Sequence, residues 1–444
     1  MRVLAGLLAV LLVVSACESP PGPGRAGAPA GDVERELSGP VSITLWHAQT
    51  GSVSRALQEQ VDAFNGANGV GITVAMAYQG NQEQLYRKTL AAIQTGAVPE
   101  LSVGYESFVA DYQKSDVVVD LDPYLRSKKH GLSQASLDDI FTTYVDANRF
   151  PQFGDRLLSF PFAKSLLVMY QNDDVLKAAG QVSPRTWDEF ERAARAATQK
   201  GSDGKTTRHG WAVPISASAF NGWVLSRGGR LMSGDGRSVA WDGREGVESL
   251  RLLQKLVGEG VAYVPKGFDH QTDFGAGKIA FLHDSSTVRP FVAAALPKDR
   301  APAWSIAGVP QADPARPKTV QYGPNLIAFR STPDKQLAAW LFMRWSAQAD
   351  RTAAWAIASS YLPLRRSAAD DAQLKSSWAK DAQGKAAFDL TATALPEPNV
   401  RGQQDIRAVI EDLLTGVATG RLTDAEKALA EAAAKANAIL RENR

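Results

Sequence analysis

The stretch VSITL at residues 41–45 decides the fold, because apolar and polar side chains alternate along it with the two-residue period of a β-strand. Residues 53–64 then carry apolar side chains at helical spacing, and residues 72–78 alternate again. A second helical pattern over residues 86–93 precedes a third short strand at residues 101–103. This βαβαβ order predicts an α/β protein with an open, mostly parallel sheet that is covered by helices.

The residues at the ends of these strands indicate a binding site. In open α/β sheets, ligands bind outside the carboxyl ends of the strands. Those ends supply Trp46, Tyr78, Gln82, Tyr105 and Glu106. Aromatic faces cover the C–H surface of a polyol or sugar, while carboxylates and amides bind its hydroxyl groups. Each aromatic residue taken singly is also typical of a packed core, but their shared position favours a site for a hydroxyl-rich ligand.

The α/β alternation continues through the rest of the chain. Thr186 and Glu189 have the spacing of a capping box, which predicts a helix through residue 197. Thr423 and Glu426 repeat that spacing at the start of a last, Ala-rich helix. The roughly 400 residues that follow residue 41 exceed what one hydrophobic core supports, so two or more domains are expected.

The composition limits the classes of function. The 444 residues are 44% hydrophobic and 22% charged, with a formal net charge of +2. This charge is too small to indicate a nucleic-acid partner. The five histidines form no i, i+4 pair, and the sequence has neither a Gly-x-Ser-x-Gly elbow nor a phosphate-binding loop. We therefore expect a binding protein that needs no cofactor or metal, and not an enzyme.

The start of the chain has the pattern of a secretory signal. Arg2 precedes an apolar run over residues 3–14, and Ser15-Ala16 precede Cys17, the single cysteine of the sequence. This pattern resembles the lipobox of bacterial lipoproteins, which implies a signal peptide over residues 1–16 and a lipid anchor on Cys17. Residues 17–40 would be the lipidated cysteine and a disordered linker. The alternatives are a plain signal peptide with a chance cysteine and an uncleaved anchor.

Short stretches along the chain match one family in order. The chain resembles the family 1 extracellular solute-binding proteins of ABC importers from about residue 41 to its end. Within that family it is most similar to the glycerol-3-phosphate-binding proteins. The matching stretches are Trp46-His47, Phe64-Asn65, residues 80–84, Tyr105-Glu106, Pro161-Phe162, Ser165, Tyr170 with Asn172, Thr186-Trp187, Ser285-Ser286, residues 361–363 and Ile406-Arg407.

The resemblance implies a two-lobe periplasmic-binding-protein-like fold with a hinge and an interlobe ligand cleft. The first lobe would hold residues 41–150 plus 304–345, and the second would hold residues 151–303 plus 346–444. A ligand that contacts both lobes shifts the hinge toward a closed form. That form would deliver the ligand to the transmembrane subunits of an ABC permease, outside the cytoplasmic membrane. We expect the protein itself to be a monomer.

The resemblance also assigns site residues position by position. Glu106 matches the carboxylate that accepts hydrogen bonds from the glycerol hydroxyls. Gly323 matches the glycine whose backbone N–H reaches the phosphate. Ser165, Ser285 and Tyr361 match further residues of the same site.

Two positions depart from the family pattern. Gln82 stands where the family has an aromatic residue, and the phosphate-binding arginine has no direct match. Its aligned position falls nearer Asn399, with Arg401 two residues further on. Lys164 and Arg365 are alternative cations, unless they are solvated surface charges.

These departures leave two classes of ligand open. A phosphate needs a well-placed cation, which Arg401 would supply. A neutral sugar needs aromatic faces and polar acceptors, which would come from Trp46, Tyr78, Gln82, Glu106, Trp223 and Tyr361. We expect an extracytoplasmic lipoprotein that binds glycerol-3-phosphate, a glycerophosphodiester, or a mono- or oligosaccharide. The alternatives from other classes are a secreted carbohydrate-active enzyme and a ligand sensor for a membrane kinase.

Overall fold

Strands and helices alternate along residues 32–299 and 301–443, which are the residues that the computed structural model describes. The strands are β1 Val41–His47, β2 Ile72–Tyr78, β3 Leu101–Gly104, β4 Arg149–Phe150, β5 Arg156–Leu157, β6 Phe160–Pro161, β7 Ser165–Asn172, β8 Gln199–Lys200, β9 Thr206–Ala212, β10 Ala262–Tyr263, β11 Ile279–Ser285, β12 Trp304–Ala307, β13 Thr319–Tyr322, β14 Asn325–Ala328 and β15 Ala394–Pro396. The α-helices are α1 Gly51–Ala67, α2 Gln82–Thr95, α3 Glu106–Tyr112, α4 Asp122–Leu125, α5 Gln134–Asp139, α6 Thr142–Asp146, α7 Asp173–Ala178, α8 Trp187–Ala197, α9 Ala217–Ser226, α10 Arg244–Gly258, α11 Asp269–Gly275, α12 Arg289–Ala295, α13 Pro333–Ser346, α14 Ala349–Ser359, α15 Ala372–Trp378, α16 Ala382–Asp389, α17 Gln403–Ala418 and α18 Ala425–Glu442.

The first sheet contains the βαβαβ unit that the sequence predicts, and this prediction is confirmed. Its strand order is β2-β1-β3-β14-β6. Strand β1 runs parallel to β2 and β3, while β14 runs antiparallel to β3 and β6. Ile43 and Leu45 of β1 are buried, and Leu57 and Phe64 of α1 join the same core. The alternating pattern therefore marks the face of the sheet that this core covers.

The second sheet is mixed. Its main path has the order β10-β9-β11-β7-β13-β15, and β12 also pairs with β7. Strand β7 is antiparallel to β11, β12 and β13, and all eight of its residues are buried. Helices α8, α9, α10, α17 and α18 contribute to a separate apolar core of this second half.

Over the residues that the structure describes, the chain passes between the two sheets at three places. It leaves the first sheet after β6, through residues 162–164, and enters β7 of the second. It returns through Gly323 and Pro324, between β13 and β14. A third passage follows α14 and leads to β15 of the second sheet. The fold is thus α/β with two sheets joined by crossover segments, as predicted.

The sheets divide the chain differently from the expected lobe boundaries. Strand β6 belongs to the first sheet, whereas β12 and β13 belong to the second, so the return to the first sheet comes after residue 322 and not at residue 304. Helix α14 also packs on α1, and Gln60 Nε2 donates to the backbone oxygen of Arg351 at 3.0 Å. Short strands show their period in the sequence but not their pairing partner, which tertiary contacts decide.

The folded part begins before Val41, so the expected linker is too long at its C-terminal end. Val33 is buried in the first core. The Glu34 carboxylate accepts hydrogen bonds from the backbone N–H groups of Lys128 and Lys129, at 2.8 and 3.1 Å. An apolar side chain and a backbone-binding carboxylate explain why this segment packs. Residues 1–31, with the predicted signal peptide and Cys17, lie outside the described residues.

Helix caps show which local signals are reliable. The capping box of α8 is present, because Thr186 Oγ1 accepts from the Glu189 N–H at 3.2 Å and Glu189 Oε2 accepts from the Thr186 N–H at 3.0 Å. The predicted box at Thr423 is wrong by one residue. Asp424 caps α18 and accepts from the Lys427 N–H at 3.0 Å. Within residues 32–299 and 301–443, no helix has the length and apolar character that a membrane crossing requires.

Candidate ligand-binding site

A cavity of about 790 Å³ opens between the two halves of the fold. The first half contributes α2 and α3, and the second contributes β11, β13, the start of α9, the segment after β15 and the first turns of α17. Its lining residues are Gln82, Glu83, Tyr86, Arg87, Tyr105, Glu106, Ser107, Phe108, Ser216, Ser218, Asp284, Ser285, Tyr322, Glu397, Pro398, Gln403, Gln404, Asp405, Arg407, Ala408 and Glu411. The volume suits a small solute.

The start of α2 places Gln82 in the cavity wall. Asn81 caps the helix, since its side chain accepts from the Gln84 N–H and the Gln84 side chain accepts from the Asn81 N–H, both at 2.9 Å. Gln82 Oε1 is buried and has no hydrogen-bond partner among the described residues. A buried acceptor without a donor is costly, so a donor from a ligand would be favourable there.

Glu106, the first residue of α3, is held from behind by a buried lysine. Lys164 Nζ donates to Glu106 Oε1 at 2.7 Å and to the backbone oxygen of Gly323 at 3.0 Å. The Lys164 side chain has no exposed surface, and burial lowers its pKa while the Glu106 carboxylate opposes that shift. Lys164 does not line the cavity, so the wall presents the carboxylate and not the ammonium.

The opposite wall carries an arginine that is already paired. Arg407 Nη1 lies 2.9 Å from both carboxylate oxygens of Glu397 and donates to Ser218 Oγ at 3.0 Å. Asn221 Nδ2 donates to Glu397 Oε1 at 2.9 Å. The Arg407 pKa is raised, because the Glu397 and Glu411 charges outweigh the opposing effect of burial. This arrangement keeps the guanidinium charged and neutralises much of its field.

The cavity wall is acidic overall. Six carboxylates line it, against two guanidinium groups: Glu83, Glu106, Asp284, Glu397, Asp405 and Glu411 against Arg87 and Arg407. Arg87 is exposed and forms its own ion pair with Glu83 at 2.5 Å. Neither guanidinium is therefore free of a carboxylate partner.

Aromatic side chains cover the remaining surface. Tyr86, Tyr105, Phe108 and Tyr322 line the cavity. Tyr86 Oη donates to Asp111 Oδ2 at 2.9 Å. Burial raises the pKa of Tyr105 and of Tyr322, so both phenols stay protonated near neutral pH. Neutral phenols and ring faces suit the C–H and O–H groups of a sugar or polyol.

The two halves touch beside the cavity. Gln404 Nε2 donates to Ser107 Oγ at 2.6 Å, and the Gly402 N–H donates to Asp111 Oδ1 at 3.3 Å. These bonds join the start of α17 to α3. The cavity is thus enclosed by both halves on one side.

The structure brings only part of the predicted site together. Gln82, Glu106 and Ser285 line the cavity. Ser165 and Gly323 lie directly behind the wall, where Ser165 Oγ donates to the Tyr322 backbone oxygen at 3.2 Å. The contribution of these residues to binding stays a prediction.

Four further residues of the predicted site do not line the cavity. Trp46 and Tyr78 do not line the cavity, and Tyr78 is 55% exposed on the edge strand β2. Trp223 is buried in the second core, where its Nε1 donates to His283 Nδ1 at 3.2 Å, so it has no face for a ligand. Tyr361 stacks on Trp355 with ring centroids 6.0 Å apart, outside the cavity lining.

The arginines that were expected to bind a phosphate do not line the cavity either. The Arg401 guanidinium lies over the Phe153 ring, 4.7 Å from its centroid, and Arg401 does not line the cavity. Arg365 is buried and donates to the Ser136 backbone oxygen at 2.6 Å. Asn399 donates to the backbone oxygen of Ala147 at 3.1 Å. The arginine that lines the cavity from the second half of the fold is Arg407, six residues beyond Arg401. Arg401 precedes α17, whereas Arg407 lies on α17, which begins at Gln403 and faces the cavity.

Sequence reasoning missed most of the second wall. Arg407 lies in a stretch that matches the family, but the resemblance gives it no role, and Asp284 directly precedes Ser285. Glu397, directly after β15, and Glu411, on α17, carry no sequence signal, because only tertiary packing brings them to the cavity. Within the described part of the chain, no three His, Cys, Asp or Glu side chains gather closely enough to hold a metal ion.

Comparisons with known proteins agree with this architecture. The family model described as "Bacterial extracellular solute-binding protein" matches residues 59–384. The sn-glycerol-3-phosphate-binding periplasmic protein UgpB of Salmonella typhimurium is 25% identical over 426 residues, covering 90% of this chain and 92% of that protein.

Two solved structures share the fold. The sugar-binding protein MalE from Xanthomonas citri superposes with a TM-score of 0.78 at 20% identity, covering 90% of this chain and 98% of MalE. UgpB from Mycobacterium tuberculosis, solved in complex with glycerophosphocholine, gives a TM-score of 0.75 at 19% identity, covering 91% of this chain and 99% of that one. Both likenesses confirm the predicted two-lobe fold.

The family match spans more than half of the chain, and its members bind solutes for transport. This confirms the prediction of an extracytoplasmic binding protein and not an enzyme. The chain belongs to the bacterial extracellular solute-binding proteins, the receptors of ABC importers.

Proposed function

We propose that this receptor captures a hydroxyl-rich solute without net negative charge, a mono- or oligosaccharide, between its lobes and delivers it to the permease subunits. The observation that carries the proposal is the excess of carboxylates in the cavity wall, because six line it and only three of them are paired, with Arg87, Lys164 and Arg407. Carboxylates accept hydrogen bonds from sugar hydroxyls, and the four cavity aromatics offer faces for its C–H surface.

The same wall disfavours a phosphate monoester. Two like unit charges about 6 Å apart repel by about 3 kcal/mol at an effective dielectric constant near 20. A dianion in the cavity would meet a wall that stays acidic after this pairing, because Asp284, Asp405 and Glu411 form no ion pair with a lysine or arginine among the described residues. Arg407 offsets little of this repulsion, because Glu397 already occupies its Nη1. The solved sugar-binding relative with the same fold supports the carbohydrate proposal.

A glycerophosphodiester is the second candidate. Arg407 is the one cation of the second wall among the described lining residues, and a diester carries one negative charge where a monoester carries up to two. The curated relatives are named for sn-glycerol-3-phosphate, and one solved relative holds glycerophosphocholine. A cationic group on the diester would also find favourable carboxylates in the wall.

A binding panel separates these candidates. Purified protein is titrated with maltose, trehalose, sn-glycerol-3-phosphate and glycerophosphocholine, and binding is followed by calorimetry and by the melting temperature. A ligand at 100 times its Kd stabilises the folded state by about 2.7 kcal/mol, which raises the melting temperature measurably. We expect a sugar to bind and the monoester not to bind. Binding of the monoester in preference to both sugars would overturn the proposal.

We further propose that Cys17 carries a lipid that anchors the receptor to the bacterial cell membrane, and that the receptor is a monomer. The support for the anchor is the sequence pattern of residues 2–17. Expression of the full chain in bacteria, followed by membrane fractionation, tests it. Cys17→Ala should release the protein from the membrane fraction, and an unchanged distribution would contradict the anchor. Light scattering of the soluble variant measures the oligomeric state.

A further inference from the structure

The buried Lys164 lies where two of the crossover segments meet the wall of the cavity. It is the last residue of the crossover from β6 to β7, and its ammonium bonds to the Gly323 oxygen in the crossover from β13 to β14. The same ammonium donates to Glu106 Oε1 at 2.7 Å. Three separate segments of the chain are therefore joined at one fully buried nitrogen.

The geometry leaves one oxygen of Glu106 available. Lys164 holds Oε1 from behind the wall, and no described residue donates a hydrogen bond to Oε2. Glu106 is 7% exposed and lines the cavity. An ion pair this deeply buried is costly to break, because the loss of either partner leaves an uncompensated charge. The pair therefore holds the carboxylate in one orientation.

Gly323 maintains this arrangement from the other side. Its backbone φ is +128°, and a Cβ there would lie 2.1 Å from the Ala163 backbone oxygen. Only a glycine therefore lets the two crossovers approach so closely. This approach sets the position of the Gly323 oxygen that Lys164 binds.

We propose that Lys164 is a positioning residue for the ligand, which it never touches. Its ammonium holds the Glu106 carboxylate in one orientation and aims the free oxygen into the cavity. The inference rests on the proposed function, because it takes Glu106 as the acceptor for a ligand hydroxyl. It differs from the expectation that Lys164 binds a phosphate directly, since Lys164 lies behind the wall.

A double-mutant cycle on ligand affinity tests the proposal. The variants are Lys164→Met, Glu106→Gln and the double variant, and the probe is whichever of maltose, trehalose, sn-glycerol-3-phosphate or glycerophosphocholine binds the wild type. Loss of one charge-assisted hydrogen bond weakens binding by about tenfold or more. We expect Lys164→Met to cause such a loss in the wild type and almost none in the Glu106→Gln background. Equal losses in both backgrounds would overturn the proposal.

The structure of the variant separates positioning from a general loss of folding. In a crystal structure of Lys164→Met without ligand, the Glu106 carboxylate should leave its wild-type position, while the rest of the cavity wall stays in place. An unmoved carboxylate together with weakened binding would contradict the proposal.

Two further measurements keep the test decisive. Lys335→Met removes a 2.6 Å Lys–Glu pair outside the cavity, with Glu100, and should leave the affinity unchanged. If Lys164→Met does not fold, a wild-type crystal structure with the bound probe replaces it. Glu106 Oε2 should then contact the probe while Lys164 stays on Oε1, and direct contact of Lys164 with the probe would refute the proposal. If no probe binds the wild type, the proposed ligand class fails instead.

Discussion

Arg407 Nη1 lies 2.9 Å from both carboxylate oxygens of Glu397, on the wall of the cavity between the lobes. The pair is largely buried, with side chains 24% and 15% exposed. An arginine in a solute cleft is a natural anion contact, but here the protein supplies the anion. Glu397 therefore competes with any negatively charged ligand for binding to Arg407.

Glu397→Gln should improve the binding of an anionic ligand. The substitution keeps the size of the side chain but frees Arg407 from its carboxylate partner. We expect sn-glycerol-3-phosphate, which should not bind the wild type, to bind this variant measurably, since a charge-assisted bond to phosphate becomes available. Calorimetry measures the change. Glu411→Gln removes the same charge from the same wall but leaves the Arg407 pair intact, so an equal gain in both variants would contradict the specific role of Glu397.

Glu106→Ala should remove ligand binding and also destabilise the protein. The substitution leaves Lys164, whose side chain has no exposed surface, without its carboxylate. Breaking a buried ion pair in this way costs about 3–5 kcal/mol of unfolding free energy. Urea unfolding in the absence of ligand measures it. As a control, Glu248→Ala breaks an exposed helical pair with Arg244 and should leave the unfolding free energy almost unchanged. Similar losses in both variants would show that the Lys164 pair contributes little.

The first half of the fold was predictable because its signals are local. Alternation along residues 41–45 and 72–78 marks two neighbouring parallel strands, and the rule that ligands bind at strand ends points to Glu106. Tyr78 follows the same rule but lies on the edge strand, away from the cavity. The position of a strand within the sheet is a tertiary property, which the alternation of its side chains does not show.

The second wall was not predictable in the same way. Trp223 has a residue type that suits sugar stacking, but every residue of its helix α9 is buried, so it belongs to the core. Arg401 lies near the aligned position of the family arginine, yet the following helix presents Arg407 to the cavity. Side chains that reach a site through helix packing carry no fixed spacing along the sequence.

Acid should destabilise the second lobe through His283. Burial among Trp187, Phe190, Trp211 and Trp223 and the nearby Arg227 charge lower its pKa to about 3. Because this value lies below the unfolded value near 6.5, the stabilisation is complete above pH 6.5 and is lost as the pH falls toward 3. Between about pH 7 and about pH 5 the loss is about 2 kcal/mol.

His283→Phe tests this pH dependence. The phenyl ring fits an aromatic environment but cannot take up a proton. The unfolding free energy of both proteins is measured with urea at about pH 7 and at about pH 5. We expect the decrease between these pH values to be about 2 kcal/mol smaller in the variant than in the wild type. Burial also lowers the pKa of His47 and of His209, but both residues are present in both proteins, so the difference reports His283. Identical slopes would contradict the prediction.

Gly323→Ala should disturb the hinge at its tightest point. The new Cβ would lie 2.1 Å from the Ala163 oxygen, and the backbone φ of +128° strains any residue with a side chain. Strain of this kind costs about 1–3 kcal/mol, and any relief moves the oxygen that Lys164 binds. Both the melting temperature and the ligand affinity should therefore fall. Gly66→Ala in α1, where a Cβ meets nothing within 4 Å, should keep the affinity and stabilise the helix by up to about 1 kcal/mol. Unchanged affinity in Gly323→Ala would mean that the carboxylate of Glu106 is positioned independently of the crossover.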